Sequence, residues 1–312
     1  MSSKRAAETA LEILELTHAE HIGSGMEGHV FRVRSGLVAK VWHDKALEAL
    51  EPLRQFYDVI LGLNLPFATP DITAIERVGD RTVSIERALD GLPLQDFVDP
   101  EDEHVPQVAI DAVIGVLSAL QSAKLRLAAD HLPDLPILGV TLSGATDIPG
   151  TTRLLEIAEG KVATYGNHLR ASVPNFEQIT LRVSNLRVQT HCAIHGDICT
   201  PNVLINEIGQ VSAVLDWGFA SCFGDPAFDA SVACGIYNMY GPHHRKLDDT
   251  LLDACVSRLG HSRNRLLIYR ALYAVLTSNA YSEDGTDGHF DWCVEQLNRD
   301  DVQEALSQST ID

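Results

Sequence analysis

The chain has 312 residues, 45% of them hydrophobic and 21% charged, enough to bury the core of one large domain or of two lobes. Its 43 acidic and 24 basic side chains give a formal charge of -19, a surface that repels phosphate backbones and anionic lipid and argues against nucleic-acid and membrane partners. No stretch approaches the ~18 apolar residues of a membrane span, and the six cysteines include no C-x-x-C pair, so free thiols in a reducing cytoplasm are expected.

In chain order, "MSSKRAAETALEILELTHAE" sets Glu8, Glu12, Glu15 and Glu20 among apolar residues, the pattern of an amphipathic helix rather than a signal peptide. From about residue 19 to 88 the text alternates. "HVFRVR" and "LVAKVW" read as strands around a turn at Ser35-Gly36. "KALEALEPLRQFYDVILGL" carries Leu50, Leu53, Tyr57 and Ile60 at helical spacing, with Pro52 marking a start or a kink. "DITAIERV" and "RTVSIERAL" form a hairpin around Gly79-Asp80. After "LDGLPL" the character turns helical, in "VPQVAIDAVIGVLSALQSAKL", "TRLLEIAEGKVATYGNHL", "RKLDDTLLDACVSRL", "RNRLLIYRALYAVLTSNAY" and "DWCVEQL". The Pro- and Gly-rich stretch "ADHLPDLPILGVTLSGATDIPG" reads as loop. These elements predict an α+β, bilobal architecture. Residues 1–90 form a small lobe with an antiparallel sheet, about 86–92 a hinge, and 91–312 a larger helical lobe.

Two segments carry chemistry. "IGSGMEGHVFRV" holds G-x-G-x-x-G at Gly23, Gly25 and Gly28. In a dinucleotide fold the third Gly opens a helix; here it is followed by the β-branched, alternating "HVFRVRSGLVAKV", so the loop turns one strand into the next, as in kinases that cover ATP phosphates. Lys40 sits mid-strand in "VAKV", where a lysine among apolar residues calls for an anionic partner.

The second segment, "CAIHGDICTPNVLINEIGQVSAVLDWGFASCFGDPAFD", spaces Asp197, Asn202 and Asp216 along a loop and a hairpin. The turn "NEIG" brings residues 202 and 216 together, so two carboxylates and an amide meet at one rim. Phosphoryl transfer needs such groups, to orient the attacking hydroxyl and to hold Mg²⁺. A zinc site built from His191, Cys192, His195 and Cys199 fits poorly, because Gly196 and Pro201 break the helix that the His spacing requires.

"HGDICTPN" with "LDWG" is similar to the protein-kinase H-R-D-x-x-x-x-N and D-F-G pair, with Gly196 in place of Arg and Trp217 in place of Phe. Together with "GDPAFD" the motifs resemble the aminoglycoside phosphotransferase family, small-molecule kinases related to choline and fructosamine kinases, over about residues 20–235. The resemblance implies an ATP- and Mg²⁺-dependent phosphotransferase. In it Asp197 is the catalytic base, and Asn202 and Asp216 are the metal ligands. Gly23, Ser24, Gly25, Gly28 and Val30 form the nucleotide loop, Lys40 meets the α- and β-phosphates, and the backbone of Glu86 and Ala88 meets the purine. Asp229 is the family's structural acid.

Three departures stand out. The acid that pairs with Lys40 is not obvious; Glu51 is the candidate taken, with Glu48 and Asp58 as alternatives. No A-P-E element follows, and "GDPAFD" comes within nine residues of Asp216, which leaves no room for a protein kinase's activation loop. The resemblance also fades after residue 235, where the acceptor pocket is shaped. The acceptor is expected to be a small hydroxylated molecule, an aminoglycoside or related cationic antibiotic, with Asp225, Glu283, Asp284 and Asp287 as acids for its ammonium groups. A metabolic kinase of an amino alcohol, sugar or glycated amine is the alternative, and a non-catalytic nucleotide-binding module a further one. A monomer or homodimer is expected.

Overall fold

The computed structural model describes residues 3–16, 18–25, 27–34, 36–123, 135, 138, 150–172, 177–188, 190–282 and 285–308. Helix α1 (Ser3–Ile13) precedes strands β1 (Glu20–Ser24), β2 (Gly28–Arg34) and β3 (Leu37–Trp42). Helix α2 (Leu47–Gly62) and the hairpin β4 (Ile72–Val78) and β5 (Arg81–Arg87) follow. The five strands form one antiparallel sheet in the order β1-β2-β3-β5-β4. Strand periodicity of two sorts its side chains. Phe31, Ala39, Val41 and Val83 are buried with Ala7, Ala10 and Leu11 of α1, while Val30, Val38 and Lys40 line a cavity beside Leu204 and Leu215.

Helix α2 turns its apolar stripe the other way. Leu50, Leu53, Phe56, Tyr57 and Ile60 recur at helical spacing and join the larger core. Full burial of each such side chain stabilises by about 1.5–3 kcal/mol. Pro52 lies inside this helix, which begins at Leu47.

The chain then crosses through β6 (Leu92–Pro93) into helices α3 (Gln107–Ser122), α4 (Gly150–Ser172) and α5 (Glu177–Ser184). Short strands β7 (Cys192–Ile194), β8 (Val203–Ile205), β9 (Val211–Val214) and β10 (Cys222–Gly224) come next. They pair as β6-β8-β9 and β10-β7. Helices α6 (Pro226–Ile236), α7 (His244–Leu259), α8 (Arg263–Thr277), α9 (Gly288–Asn298) and α10 (Asp300–Ser307) complete the molecule. Helix α8 is buried on every side from Leu266 to Thr277. Its Arg270 is tied to Asp248 of α7 by two hydrogen bonds of 2.8 and 2.9 Å. Arg299 meets the same carboxylate, so two buried cations share one anion. No helix among the described residues is long and apolar enough to cross a membrane.

Helices α5, α6 and α10 have no counterpart in the sequence reading. Helix α6 is buried all round from Ala227 to Ile236, so it shows no amphipathic stripe. Most of the loop expected at 129–150 lies outside the described residues.

Candidate active site

The loop after β7 is held from beneath by Asp229 of α6. Its two carboxylate oxygens accept from the His195 and Gly196 amides at 2.9 and 2.8 Å. Burial pushes the Asp229 carboxyl up to about 6, against these two hydrogen bonds. Gly196 has φ +76, and a Cβ there would lie 2.6 Å from the Ala220 Cβ. Neither the backbone nor the space admits the arginine of the H-R-D motif.

The His195 ring, fully buried, donates through Nε2 to the Leu215 carbonyl at 2.7 Å and accepts from the Asp197 amide at Nδ1, 3.1 Å away. Burial pushes the imidazole down to about 4, so it is neutral and holds one tautomer. Ser221 donates to the His195 carbonyl at 2.7 Å and accepts from the Gly218 amide at 2.8 Å. The catalytic loop and the loop after β9 are therefore one hydrogen-bonded unit, with Trp217 packed on His195 at 4.6 Å between ring centroids.

Asp197 and Asn202 are in direct contact. Asn202 Nδ2 donates to the Asp197 carbonyl at 3.0 Å and to Asp197 Oδ2 at 3.2 Å. That orientation leaves the Asn202 amide oxygen as its atom for a cation. Burial, and then the charge of Asp216, push the Asp197 carboxyl up to about 7, against the hydrogen bond from Asn202. Asp216 has φ +53, a left-handed backbone that costs a non-glycine residue energy and that proteins keep where geometry matters. The hairpin β8–β9 pairs Val203 with Val214, which sets residues 202 and 216 side by side. Among the described residues no group of three or more His, Cys, Asp or Glu side chains is arranged to hold a metal by itself. Asn202 and Asp216 instead offer two hard oxygens, which suits Mg²⁺ completed by phosphate and water oxygens.

The Gly-rich loop is a strand-to-strand turn, with the Gly25 amide donating to the Gly28 carbonyl at 2.9 Å. A Cβ on Gly23 or Gly25 would meet no protein atom within 4 Å, whereas one on Gly28 would strike the Val41 carbonyl at 2.3 Å. The first two glycines leave room above the cleft, and the third serves packing against β3. Ser24 turns away from the cleft to hydrogen-bond His21 and His29, at 2.9 and 2.8 Å.

Lys40 projects from β3 between Glu27, 3.0 Å away, and Asp216, 3.7 Å away. Burial works to lower its pKa, but Asp216, Glu27 and Glu86 outweigh it and hold the ammonium above its usual range. Glu51, expected as its partner, pairs with Arg54 of its own helix at 2.6 Å instead. The acid found, Glu27, sits within the quoted glycine loop, where a reading by helix face did not look. Nearby, Glu86 accepts from Ser84 at 2.6 Å, and burial raises its carboxyl.

A cavity of about 260 Å³ lies beneath the loop, walled by Ile22, Val30 and Val38 above and Leu204 and Leu215 below. Glu86 and Ala88 reach its edge. The Ala88 amide donates to the Gly36 carbonyl at 2.9 Å, extending the β3–β5 ladder, so it is not the purine donor that was expected. The apolar walls were missed because Leu204 and Leu215 read only as ordinary strand residues beside the motifs.

A second cavity of about 360 Å³ shares Asp216 with the first and has Asp197, Cys199 and Glu27 at its floor and rim. Its wall is Trp217, Phe219, Ile236, Met239, Tyr273, Tyr281 and His289. Of the expected acids, Asp225 and Asp287 do not line it. Asp225 caps α6 and is bound by Arg265 and Tyr269, and Asp287 caps α9 through the Phe290 amide. Glu283 and Asp284 fall outside the described residues.

A five-stranded lobe with a glycine loop and lysine, set over a helical lobe with an H-G-D loop and a D-W-G turn, defines a kinase-like phosphotransferase. The chain belongs to the phosphotransferase enzyme family (APH), whose profile matches residues 18–261. It is a phosphotransferase. No curated protein matches it in sequence. Its fold is similar to that of aminoglycoside phosphotransferase APH(3'')-Id from Streptomyces rimosus, solved with ADP and streptomycin, at 18% identity and TM-score 0.58, covering 89% of this chain and 99% of that one. The GDP complex of aminoglycoside 2'-phosphotransferase-IIIa is similar at 15% identity and TM-score 0.59, covering 98% and 99%. Macrolide 2'-phosphotransferase MphH from Brachybacterium faecium is similar at 17% identity and TM-score 0.56, covering 93% and 98%.

Proposed function

We propose that the enzyme transfers the γ-phosphate of ATP directly to a hydroxyl of its acceptor, with the nucleotide in the cavity beneath residues 23–30 and the acceptor in the aromatic-walled cavity. The observation that carries this reading is the convergence of Lys40, Asp197 and Asp216 on two cavities that share Asp216, with Asn202 bonded to Asp197. Asp197 orients the acceptor hydroxyl and takes its proton, while Asn202 holds the Asp197 carboxylate in place. Lys40 meets the α- and β-phosphates, and the hinge around Glu86 and Ala88 borders the purine. Asn202 and Asp216 would hold Mg²⁺, which would supply positive charge against the charge that develops on the phosphates. The division of labour follows the lobes, 1–90 for the nucleotide loop and lysine and 91–312 for the catalytic loop, metal site and acceptor pocket, with the hinge at 86–92.

The acceptor wall has four aromatic rings, Trp217, Phe219, Tyr273 and Tyr281. Rings accept an apolar face or a cationic amine, so a hydroxylated amine with an apolar face suits the cavity. An aminoglycoside-like or macrolide-like antibiotic and a metabolic amino alcohol are the classes to compare. The test is ATP consumption by purified protein against a panel of hydroxylated amines, sugars and macrolides. Turnover with one class assigns it. ATP binding without turnover on any member would favour a nucleotide-binding module.

A further inference from the structure

Glu27 belongs to the glycine loop, yet its backbone is not loose. Its carbonyl accepts the His43 amide at 2.8 Å, continuing the pairing of Gly28 with Trp42. From this fixed base the carboxylate bridges two ammonium groups, Lys40 at 3.0 Å and Lys45 at 2.5 Å. Both ammonium groups lie over the Trp42 ring, 4.0 and 4.5 Å from its centroid. The helix that would ordinarily carry the lysine's acid puts none beside it: Glu51 is bound to Arg54, and among the described residues the carboxylates within ion-pair distance of Lys40 are Glu27 and Asp216.

We infer that Glu27 is the positioning residue for Lys40, so that the glycine loop itself, rather than α2, holds the phosphate-binding lysine in register. The inference rests on the phosphotransferase reading and adds a role to it. Three acids surround Lys40, namely Asp216, Glu27 and Glu86. Asp216 stands farther off, at 3.7 Å, and the Glu86 carboxylate accepts from Ser84 at 2.6 Å. Glu27, with the shortest contact at 3.0 Å, is then the carboxylate that aims Lys40, and its second oxygen brings Lys45 to the same rim.

The experiment compares wild type with Glu27→Gln, which keeps the size and a hydrogen-bond acceptor but loses the charge, and with Glu51→Ala. ADP is titrated without metal and ATP with Mg²⁺, each at low and high salt, and thermal melts confirm that all three proteins are folded. Loss of one half-exposed charge-assisted contact is expected to weaken binding of both nucleotides by about five- to tenfold in Glu27→Gln at low salt, less at high salt. Glu51→Ala should stay within about twofold. With an acceptor in hand, Glu27→Gln should also raise KM for ATP more than it lowers kcat. Unchanged or tighter ADP binding in Glu27→Gln overturns the inference, because a carboxylate that merely fills the phosphate position competes with ADP. Wild type that binds neither nucleotide overturns the phosphotransferase reading itself.

Discussion

Asn202 directs its amide nitrogen at both the carbonyl and the carboxylate of Asp197, at 3.0 and 3.2 Å. One contact thus ties the residue proposed to face the metal to the acid proposed to face the acceptor hydroxyl, and each constrains the other's rotamer. Asp197→Asn preserves shape but not charge. We expect kcat to fall by about two to four orders of magnitude while nucleotide affinity stays within about threefold. Steady-state kinetics and nucleotide titration on the same preparation check this, and near wild-type kcat would refute the role of Asp197.

Asp216 combines a ligand's carboxylate with a backbone at φ +53. Removing the carboxylate and relieving the strain are separable. Asp216→Ala and Asp216→Gly should both lose Mg²⁺-dependent strengthening of ATP binding. Asp216→Gly should be the more stable of the two by about 1–2 kcal/mol, since only glycine is at ease there. Calorimetric titration gives the first comparison and urea unfolding the second.

Restoring the protein-kinase motif should damage this enzyme. Gly196→Arg places a Cβ against Ala220 in a left-handed backbone, beside amides held by Asp229. The backbone conformation alone costs about 1–2 kcal/mol, and repacking adds to it. The variant should unfold at lower urea and lose turnover even where it remains folded.

The Asp229 carboxylate satisfies two buried amides at once. Asp229→Ala leaves both without their acceptor, at about 1–3 kcal/mol each. The expected result is a stability loss together with a fall in kcat larger than that in nucleotide affinity, because the displaced loop carries Asp197. A variant with full kcat would show that the loop does not need this support.

Stability should also depend on acid pH through Asp301. Burial works to raise its pKa, but hydrogen bonds and charge from Arg299 and Arg245 outweigh it and bring the carboxyl down to about 2. Its folded value lies below the unfolded one of about 3.9, so the contact stabilises fully above that value and fades as pH falls toward 2. The urea midpoints of wild type and Asp301→Asn should differ near neutral pH and converge near pH 2. A difference that persists at pH 2 would contradict this linkage.

Spacing along the chain was sufficient for everything that local geometry decides. The β-branched run after Gly28 dictates a strand, and the "NEIG" turn between two apolar runs dictates a hairpin that joins Asn202 to Asp216. Alternation in "VAKV" sends Lys40 to one face of its strand whatever surrounds it. These signals survive in sequence because turn chemistry and side-chain period act over a few residues. Which acid meets Lys40 is a different kind of fact. Glu51 and Glu27 stand almost equally near Lys40 in the chain, and only the packing of α2 into the larger core, with Glu51 bound to Arg54, gives the place to Glu27. Likewise Asp225, read as an acid for the acceptor, is bound by Arg265 and Tyr269 of α8, and the acceptor wall is drawn from β10-adjacent turns, α6, α8 and α9. Partners that distant are chosen by how helices pack, and side-chain burial competes with charge pairing in a way that no short stretch of sequence records.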